Sequence, residues 1–262
     1  MRSPRPGLPP PFLKRVTMNA QRIPREKTHP FDLPLFRDGA FELAFEKPVT
    51  VIVGENGVGK STLLEAIAGQ IGFSMQSGTR GFASDEPAPP LAQCLRLAWL
   101  PKVTTGFFLR AESFFNLASQ IDRLDSDPDN RCAGPPIIDG YGGVSLHAQS
   151  HGEAFLALFE NRFNQKGIYL LDEPEAALSP ARQLRFLQVL RRMERSGQAQ
   201  IVLATHAPMI MAYPGADLIV VERDRVARGR PEDTSHWRIL RELFADPAAF
   251  YAEKLDRQRE LF

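Results

Sequence analysis

The chain has 262 residues, 43% hydrophobic and 24% charged, and its 32 Lys and Arg against 31 Asp and Glu leave a net charge of +1. That length carries a sizeable core, and the charge balance excludes a global electrostatic pull toward nucleic acid or anionic lipid. Apolar runs fall short of the roughly 20 residues needed to span a bilayer, and no apolar stretch follows the N-terminal charges, so a cytoplasmic protein with neither a secretory signal nor a transmembrane segment of its own is expected.

Residues 1–30 are Pro-rich and basic, with Arg2, Arg5, Lys14, Arg15, Arg22, Arg25 and Lys27 against Glu26 alone. They read as a flexible, solvated arm, or as a contact for a phosphate backbone or an acidic partner. In residues 41–45, Phe41, Leu43 and Phe45 alternate with Glu42, a strand pattern. The β-branched run 49–53 reads as a buried parallel strand. A helix is predicted over 61–71, with Leu63, Leu64, Ile67, Ala68 and Ile71 on one face. Residues 72–90 and 125–143 read as loops; between them come strands at 96–100 and 106–110 and a helix at 111–124. In the second half, 167–171 is a short apolar strand. Ser179-Pro180 then opens a helix whose buried stripe is read as Leu184, Leu187, Leu190 and Met193, stopped by Gly197. Strands follow at 201–204 and 218–221, and two short helices end the chain, the last opened by Asp246-Pro247. Strands alternating with helices predict an α/β fold with a mainly parallel sheet, without internal repeats. Cys94 and Cys132 fall in no metal-ligand spacing and read as free thiols of a reducing compartment.

Three stretches carry chemistry. Residues 49–62, VTVIVGENGVGKST, contain the G-x-x-x-x-G-K-[ST] phosphate loop, placed between a buried strand and a helix as its mechanism requires. Gly54, Glu55, Asn56, Gly57, Val58 and Gly59 offer successive backbone N–H groups to a phosphate, backed by the positive end of the helix. Lys60 reaches the β- and γ-oxygens, Ser61 ligates Mg²⁺ and Thr62 follows in the same turn. Residues 167–180, GIYLLDEPEAALSP, end a hydrophobic strand in Asp172, a Mg²⁺ holder, and Glu173, placed to orient or deprotonate an attacking water. A small-molecule kinase needs no such second carboxylate. In residues 201–210, IVLATHAPMI, a strand runs into Thr205-His206. Ligands bind at the carboxyl ends of such strands, which brings His206 toward the γ-phosphate. A fourth stretch, HAQSHGEAF at 147–155, has two local readings: a metal site from His147, His151 and Glu153, or a helix N-terminus built on Ser150 and Gly152.

These residues, in this order, resemble the ABC-type ATPases. The resemblance implies a P-loop NTPase fold: a mainly parallel sheet flanked by helices, a small antiparallel β part and a helical signature subdomain. Residues 31–262 would form a single ATPase domain with a helical and loop insertion at about 73–150. QSHGE at 149–153 fills the family's signature slot, so Ser150 and Gly152 would meet the γ-phosphate held by a second copy. ATP and Mg²⁺ as cofactors and an ATP-dependent homodimer follow from the same resemblance. The chain departs from the family pattern at His151, Glu153 and Ser179, which stand for Gly, Gln and Asp. The family's glutamine between phosphate loop and signature falls near Arg110 and Glu112. The adenine-stacking aromatic falls on Phe31 or Phe36. More narrowly, together with the terminal EDTSHWRILRELFADPAAFY, these motifs look like a group of small stand-alone bacterial ATPases nearer to recombination and chromosome-maintenance ATPases than to transporter subunits. The expected function is an ATP-hydrolysing ABC-type ATPase, DNA-associated or tied to stress or defence, working with a further protein partner. The alternatives are a nucleotide-gated module of a toxin pair and the ATPase subunit of a membrane transporter.

Overall fold

The computed structural model describes residues 8–75, 78–79, 87–127, 135–222 and 224–256. Strand β1 (Leu13–Met18) is followed by a short helix α1 (Pro34–Arg37), β2 (Glu42–Ala44), β3 (Val49–Val53) and helix α2 (Lys60–Ile71). Next come α3 (Pro90–Cys94), β4 (Leu95–Trp99), β5 (Gly106–Arg110) and α4 (Phe114–Ser126), and then α5 (His151–Arg162) and β6 (Gly167–Asp172). Helix α6 (Pro180–Ser196), β7 (Ala199–Ala204), α7 (Pro208–Met211), β8 (Asp217–Val221), β9 (Val226–Arg228), α8 (Ser235–Ala245) and α9 (Pro247–Asp256) complete the order. None of the described helices is long and apolar enough to cross a membrane.

Two sheets form. The larger has the order β5-β6-β7-β3-β8-β9, parallel except for the hairpin-like β8–β9 edge. The smaller, β2-β1-β4, is antiparallel. Strands β3, β6 and β7 are buried along their whole length, as expected when helices cover both faces of a parallel sheet. Successive side chains then serve opposite cores. Ile52, Ile168, Leu170, Val202 and Ala204 pack with α2, while Val51, Val53, Tyr169, Leu171, Ile201 and Leu203 pack with α4, α5 and α6. Helix α2 lies among both sheets and α3, which is why Ala66 is buried along with Leu63, Leu64, Ile67, Ala68 and Ile71. The opposite core is an aromatic chain: Phe114–Phe155 at 4.1 Å, Phe159–Phe186 at 4.6 Å and Phe163–Tyr169 at 4.7 Å between centroids.

Four sequence expectations are corrected. Residues 1–30 are not an arm throughout: Leu13–Met18 is the central strand of the small sheet, with Phe12, Leu13 and Val16 fully buried. The prolines and charges masked a strand whose basic residues point outward. Arg15 pairs with Glu42 at 3.1 Å, and Arg22 and Lys27 donate to the carbonyls of Gln93 and Arg37. Arg2 and Arg5 lie outside the described residues, as does Cys132, whereas Cys94 is buried and free. Second, the segment 73–150 is not simply an insertion, because it supplies β4 to the small sheet and β5 to the large one. Third, the buried stripe of α6 is Phe186, Val189, Leu190 and Met193, with Leu184 exposed and Leu187 only partly covered. The preceding loop rotates the helix so that Phe186 meets Phe159. Fourth, Phe31 and Phe36 are core residues rather than a stacking surface. Phe36 packs edge-on against Phe41 at 5.6 Å beneath Gly59.

A fully buried polar side chain joins the two sheets. Gln200, on β7 and fully buried, accepts from the backbone N–H groups of Phe12 at 2.8 Å and Leu13 at 2.7 Å, and its amide donates to the Leu13 carbonyl at 3.0 Å. Gln200→Leu strands two donors and one acceptor in the interior, each costing about 1–3 kcal/mol. The expected result is a loss of about 3 kcal/mol or more, read as a lower urea midpoint at unchanged m-value.

Candidate functional site

Strands β3, β7 and β6 are neighbours, and their carboxyl ends meet at one edge of the large sheet. Ile52 is in register with Ala204, and Ala204 with Asp172. This places the loop after β3, the acidic pair after β6 and Thr205-His206 after β7 side by side, at the edge where open α/β sheets bind ligands.

The loop 54–59 turns through left-handed glycines at Gly57 (φ 76°) and Gly59 (φ 103°), and space is open around Gly57. Without that freedom the chain has no way to curl its amides inward before entering α2. Lys60 is almost fully buried, and its Nζ donates to the carbonyls of Gly54 at 2.8 Å and Glu55 at 2.9 Å. Burial holds its pKa below the ordinary lysine value, against the raising pull of Glu173, Asp172, Glu55 and Glu175. Ser61 Oγ donates to Asp172 Oδ1 at 3.0 Å. Asp172 is buried, and that burial pushes its pKa up to about 6 despite the Ser61 hydrogen bond and the Arg110 charge.

Glu173 takes φ 50°, the left-handed region, as the one described non-glycine residue with positive φ. Such strain costs about 1–3 kcal/mol and concentrates at functional sites. Its N–H is held by the Ala204 carbonyl at 3.0 Å. Its half-exposed carboxylate stands 3.7 Å from His206 Nε2, a buried atom without a hydrogen-bond partner among the described residues. Glu175, to which sequence reading assigned no role, anchors the histidine turn: one carboxylate oxygen accepts from Thr205 Oγ1 at 2.6 Å, His206 N at 2.8 Å and Ala207 N at 3.1 Å. Burial lowers the His206 pKa, with Lys60 and His236 adding to the effect and Glu173 opposing it.

Two clefts flank the loop. One, of ≈ 590 Å³, is lined by Gly54–Val58, Pro34, the end of β8 and the start of α8. The other, of ≈ 230 Å³, is lined by Ser61, Arg110, Glu112, Phe115, Asp172 and Glu173 together with Phe155 and Ala177. Arg110, at the end of β5, contacts Glu65, Glu112 at 3.3 Å and Asp172 at 3.9 Å. A cation therefore stands beside the acid that Mg²⁺ would use. The paired oxygens of Ser61 and Asp172 suit a hard cation that keeps most of its waters.

The two readings of residues 147–155 separate. Ser150 caps α5, and the Glu153 carboxylate accepts from both its backbone N–H, at 3.0 Å, and its hydroxyl. This capping box, with Arg182 at 3.3 Å from Glu153, disposes of the Glu153 charge and holds its pKa below the usual range. A Cβ on Gly152 would lie 3.0 Å from the Ala177 carbonyl and 2.5 Å from Arg182 Nη1, so close packing onto the segment after β6 leaves little room for a side chain there. His147 sits in a turn before the helix, its Nε2 3.0 Å from Ser119 Oγ. Among the described residues, no group of three or more His, Cys, Asp or Glu is arranged to hold a metal.

Residues 33–85 match a family model described as "AAA domain", and residues 154–212 match one described as "AAA domain, putative AbiEii toxin, Type IV TA system". The hemin import ATP-binding protein HmuV of Streptomyces coelicolor is 31% identical over 78% of this chain and 75% of its own length. The chain belongs to the ABC-type ATPases. The aliphatic sulfonates import ATP-binding protein SsuB of Delftia acidovorans is 30% identical over 71% of this ABC ATPase and 73% of SsuB. A solved ATP-binding cassette of an ABC transporter shares the fold, with a TM-score of 0.51 and 17% identity over 92% of this chain and 98% of that one. These relatives are named as import or transporter proteins, so they do not support the narrower resemblance to stand-alone recombination ATPases.

The buried Asp172 makes a pH-dependent prediction for the EDTA-treated, nucleotide-free ABC ATPase. Below pH 3.8 folded and unfolded chains both hold the proton. Between 3.8 and about 6 only the folded chain does, so stability falls as pH rises, and above about 6 the full cost is present. That cost is on the order of 3 kcal/mol. Asp172→Asn is expected to stabilise by about 1–2 kcal/mol at pH 8, because the amide removes the buried charge but keeps an acceptor for Ser61, and to give no gain near pH 4. Chemical denaturation at the two pH values measures the difference.

Proposed function

We propose that this ABC ATPase binds MgATP through residues 54–62 and hydrolyses it as one half of a pair of copies closed over two nucleotides. The observation that carries the reading is the convergence of Lys60, Ser61, Asp172, Glu173 and His206 at the ends of three adjacent strands. The second half of the site rests on the Ser150–Gly152 turn. Among the described residues, its side-chain bonds run to Glu153 on α5 and Arg182 on α6. Its helix N-terminus is then available to a phosphate held by a second copy. A two-fold pair makes both sites composite, so hydrolysis depends on assembly.

Within one copy the roles divide by chemistry. Lys60 leaves the Gly54 and Glu55 carbonyls to neutralise β- and γ-phosphate oxygens, aided by loop amides. Ser61 and Asp172 would hold Mg²⁺, which supplies charge neutralisation at the phosphates. Glu173 orients the attacking water and takes its proton, and its strained backbone aims the carboxylate out of the sheet edge. His206 Nε2 bridges the carboxylate and the phosphate side of the site.

The names of HmuV and SsuB favour a second reading of what the pair drives: import of a solute with a membrane partner chain at the cytoplasmic face. The description of the model matched at residues 154–212 favours instead a module of a toxin pair. A nucleic-acid partner is not part of the proposal, because Arg15, Arg22 and Lys27 are engaged within the fold.

Glu173→Gln keeps binding but removes the base. Hydrolysis is expected to fall about 10²- to 10⁴-fold, and with saturating MgATP the variant should elute at twice the monomer mass by light scattering. A variant that stays monomeric under those conditions overturns the paired reading.

A further inference from the structure

We infer that His236, in the first turn of α8, is a positioning residue for hydrolysis that locks His206 in the tautomer with its proton on Nε2. The inference rests on the functional reading above and adds to it a residue from the C-terminal helices. His236 Nε2 lies 3.3 Å from His206 Nδ1, with ring centroids 5.1 Å apart. A neutral imidazole has one N–H and one lone pair, so two facing ring nitrogens at this distance share one proton. The other nitrogen of His206 settles which ring donates. His206 Nε2 faces the Glu173 carboxylate at 3.7 Å, and an ionised carboxylate only accepts. The proton therefore belongs on His206 Nε2, leaving Nδ1 as the acceptor for His236 Nε2–H. The reverse tautomer sets a lone pair against the carboxylate, and against any phosphate beside it.

The supports of His236 are as definite as those of His206. Thr234 is buried and N-caps α8, its hydroxyl oxygen accepting from Trp237 N at 3.2 Å and its hydroxyl donating to the Pro231 carbonyl at 2.7 Å. Ser235 Oγ donates to Glu55 Oε1 at 2.8 Å, fastening the start of α8 to the phosphate loop itself. Ser235 and His236 also line the larger cleft together with Gly54–Val58. The charged and titratable groups around His206 are Lys60 on α2, Glu55 in the loop, Glu173 after β6 and His236 on α8, with Glu175 holding its backbone. Partial burial and the Lys60 cation hold the His206 pKa below its ordinary value. The base end of the site is thus supported from outside the strand edge: α8 places His236, its Nε2–H occupies the His206 Nδ1 lone pair, and the remaining His206 N–H faces Glu173 at 3.7 Å.

The test uses the full chain. Nitrogen-15 NMR of the wild-type imidazoles is expected to show the His206 proton on Nε2. In His236→Leu, which fills the space without a donor, the two tautomers of His206 should interconvert. Steady-state ATPase rates should show kcat reduced about 10- to 100-fold in His236→Leu, the scale known for losing the group that orients a metal-ligating histidine, with KM nearly unchanged. His236→Gln, whose amide N–H reaches toward the same nitrogen, should recover kcat to within about 3-fold, a recovery that a packing role alone does not produce. A wild-type His206 carrying its proton on Nδ1 overturns the inference, even if His236→Leu fails to fold. So does a His236→Leu enzyme with wild-type kcat while Glu173→Gln is inactive. An active Glu173→Gln enzyme instead overturns the functional reading on which the inference rests.

Discussion

The chemistry of this protein depends on three parallel strands ending at the same height. A parallel sheet brings the carboxyl ends of β6, β7 and β3 to one edge, with neighbouring strands about 4.8 Å apart. Residues separated by more than a hundred positions, such as Ser61 and Asp172, thereby come within a hydrogen bond. Covering both faces with helices keeps the strands dry. That dryness makes every charge at the edge consequential: the lysine amine is held below its ordinary pKa and the aspartate is pushed to about 6.

A site of buried, opposite charges is stable only if each has a partner in each functional state. In this chain Lys60 borrows two loop carbonyls and Asp172 borrows Ser61 and Arg110. These are the groups that a bound magnesium nucleotide would replace with phosphate oxygens and a metal ion. Glu173 is strained, and His206 Nε2 has no hydrogen-bond partner among the described residues. Glu175 lets this pair stand apart from the sheet, because one of its oxygens collects three donors and so fixes the turn that carries the histidine. The second glutamate of DEPE is in this sense a structural anchor for the residue 31 positions later.

Much of the fold was legible because local patterns and burial agreed. The continuous apolar strands at β3, β6 and β7, the glycine loop and the Ser179-Pro180 helix start all read correctly as elements. The N-terminal strand did not, because prolines and basic residues crowd a short motif in which Phe12, Leu13 and Val16 are buried. The stripe of α6 was read correctly at Leu190 and Met193 but misplaced at its start, for a related reason. Leucines at helical spacing gave a plausible apolar row, but the rotation of the helix is set by where Phe186 finds Phe159. Phe31 and Phe36 read as stacking candidates by the family resemblance, whereas both are buried in the core, Phe36 beneath Gly59.

By itself, the sequence determined the phosphate loop, the acidic pair, the histidine turn and the strand-then-helix rhythm, because each is a local requirement of backbone geometry or side-chain chemistry. Only the tertiary structure decided that Gln200 joins the two sheets, that Arg182 and Ala177 close on Gly152, and that His236 reaches His206. Those contacts join residues 25 to 188 positions apart along the chain. Their partners are chosen by strand order, helix rotation and the filling of space, which no local spacing encodes.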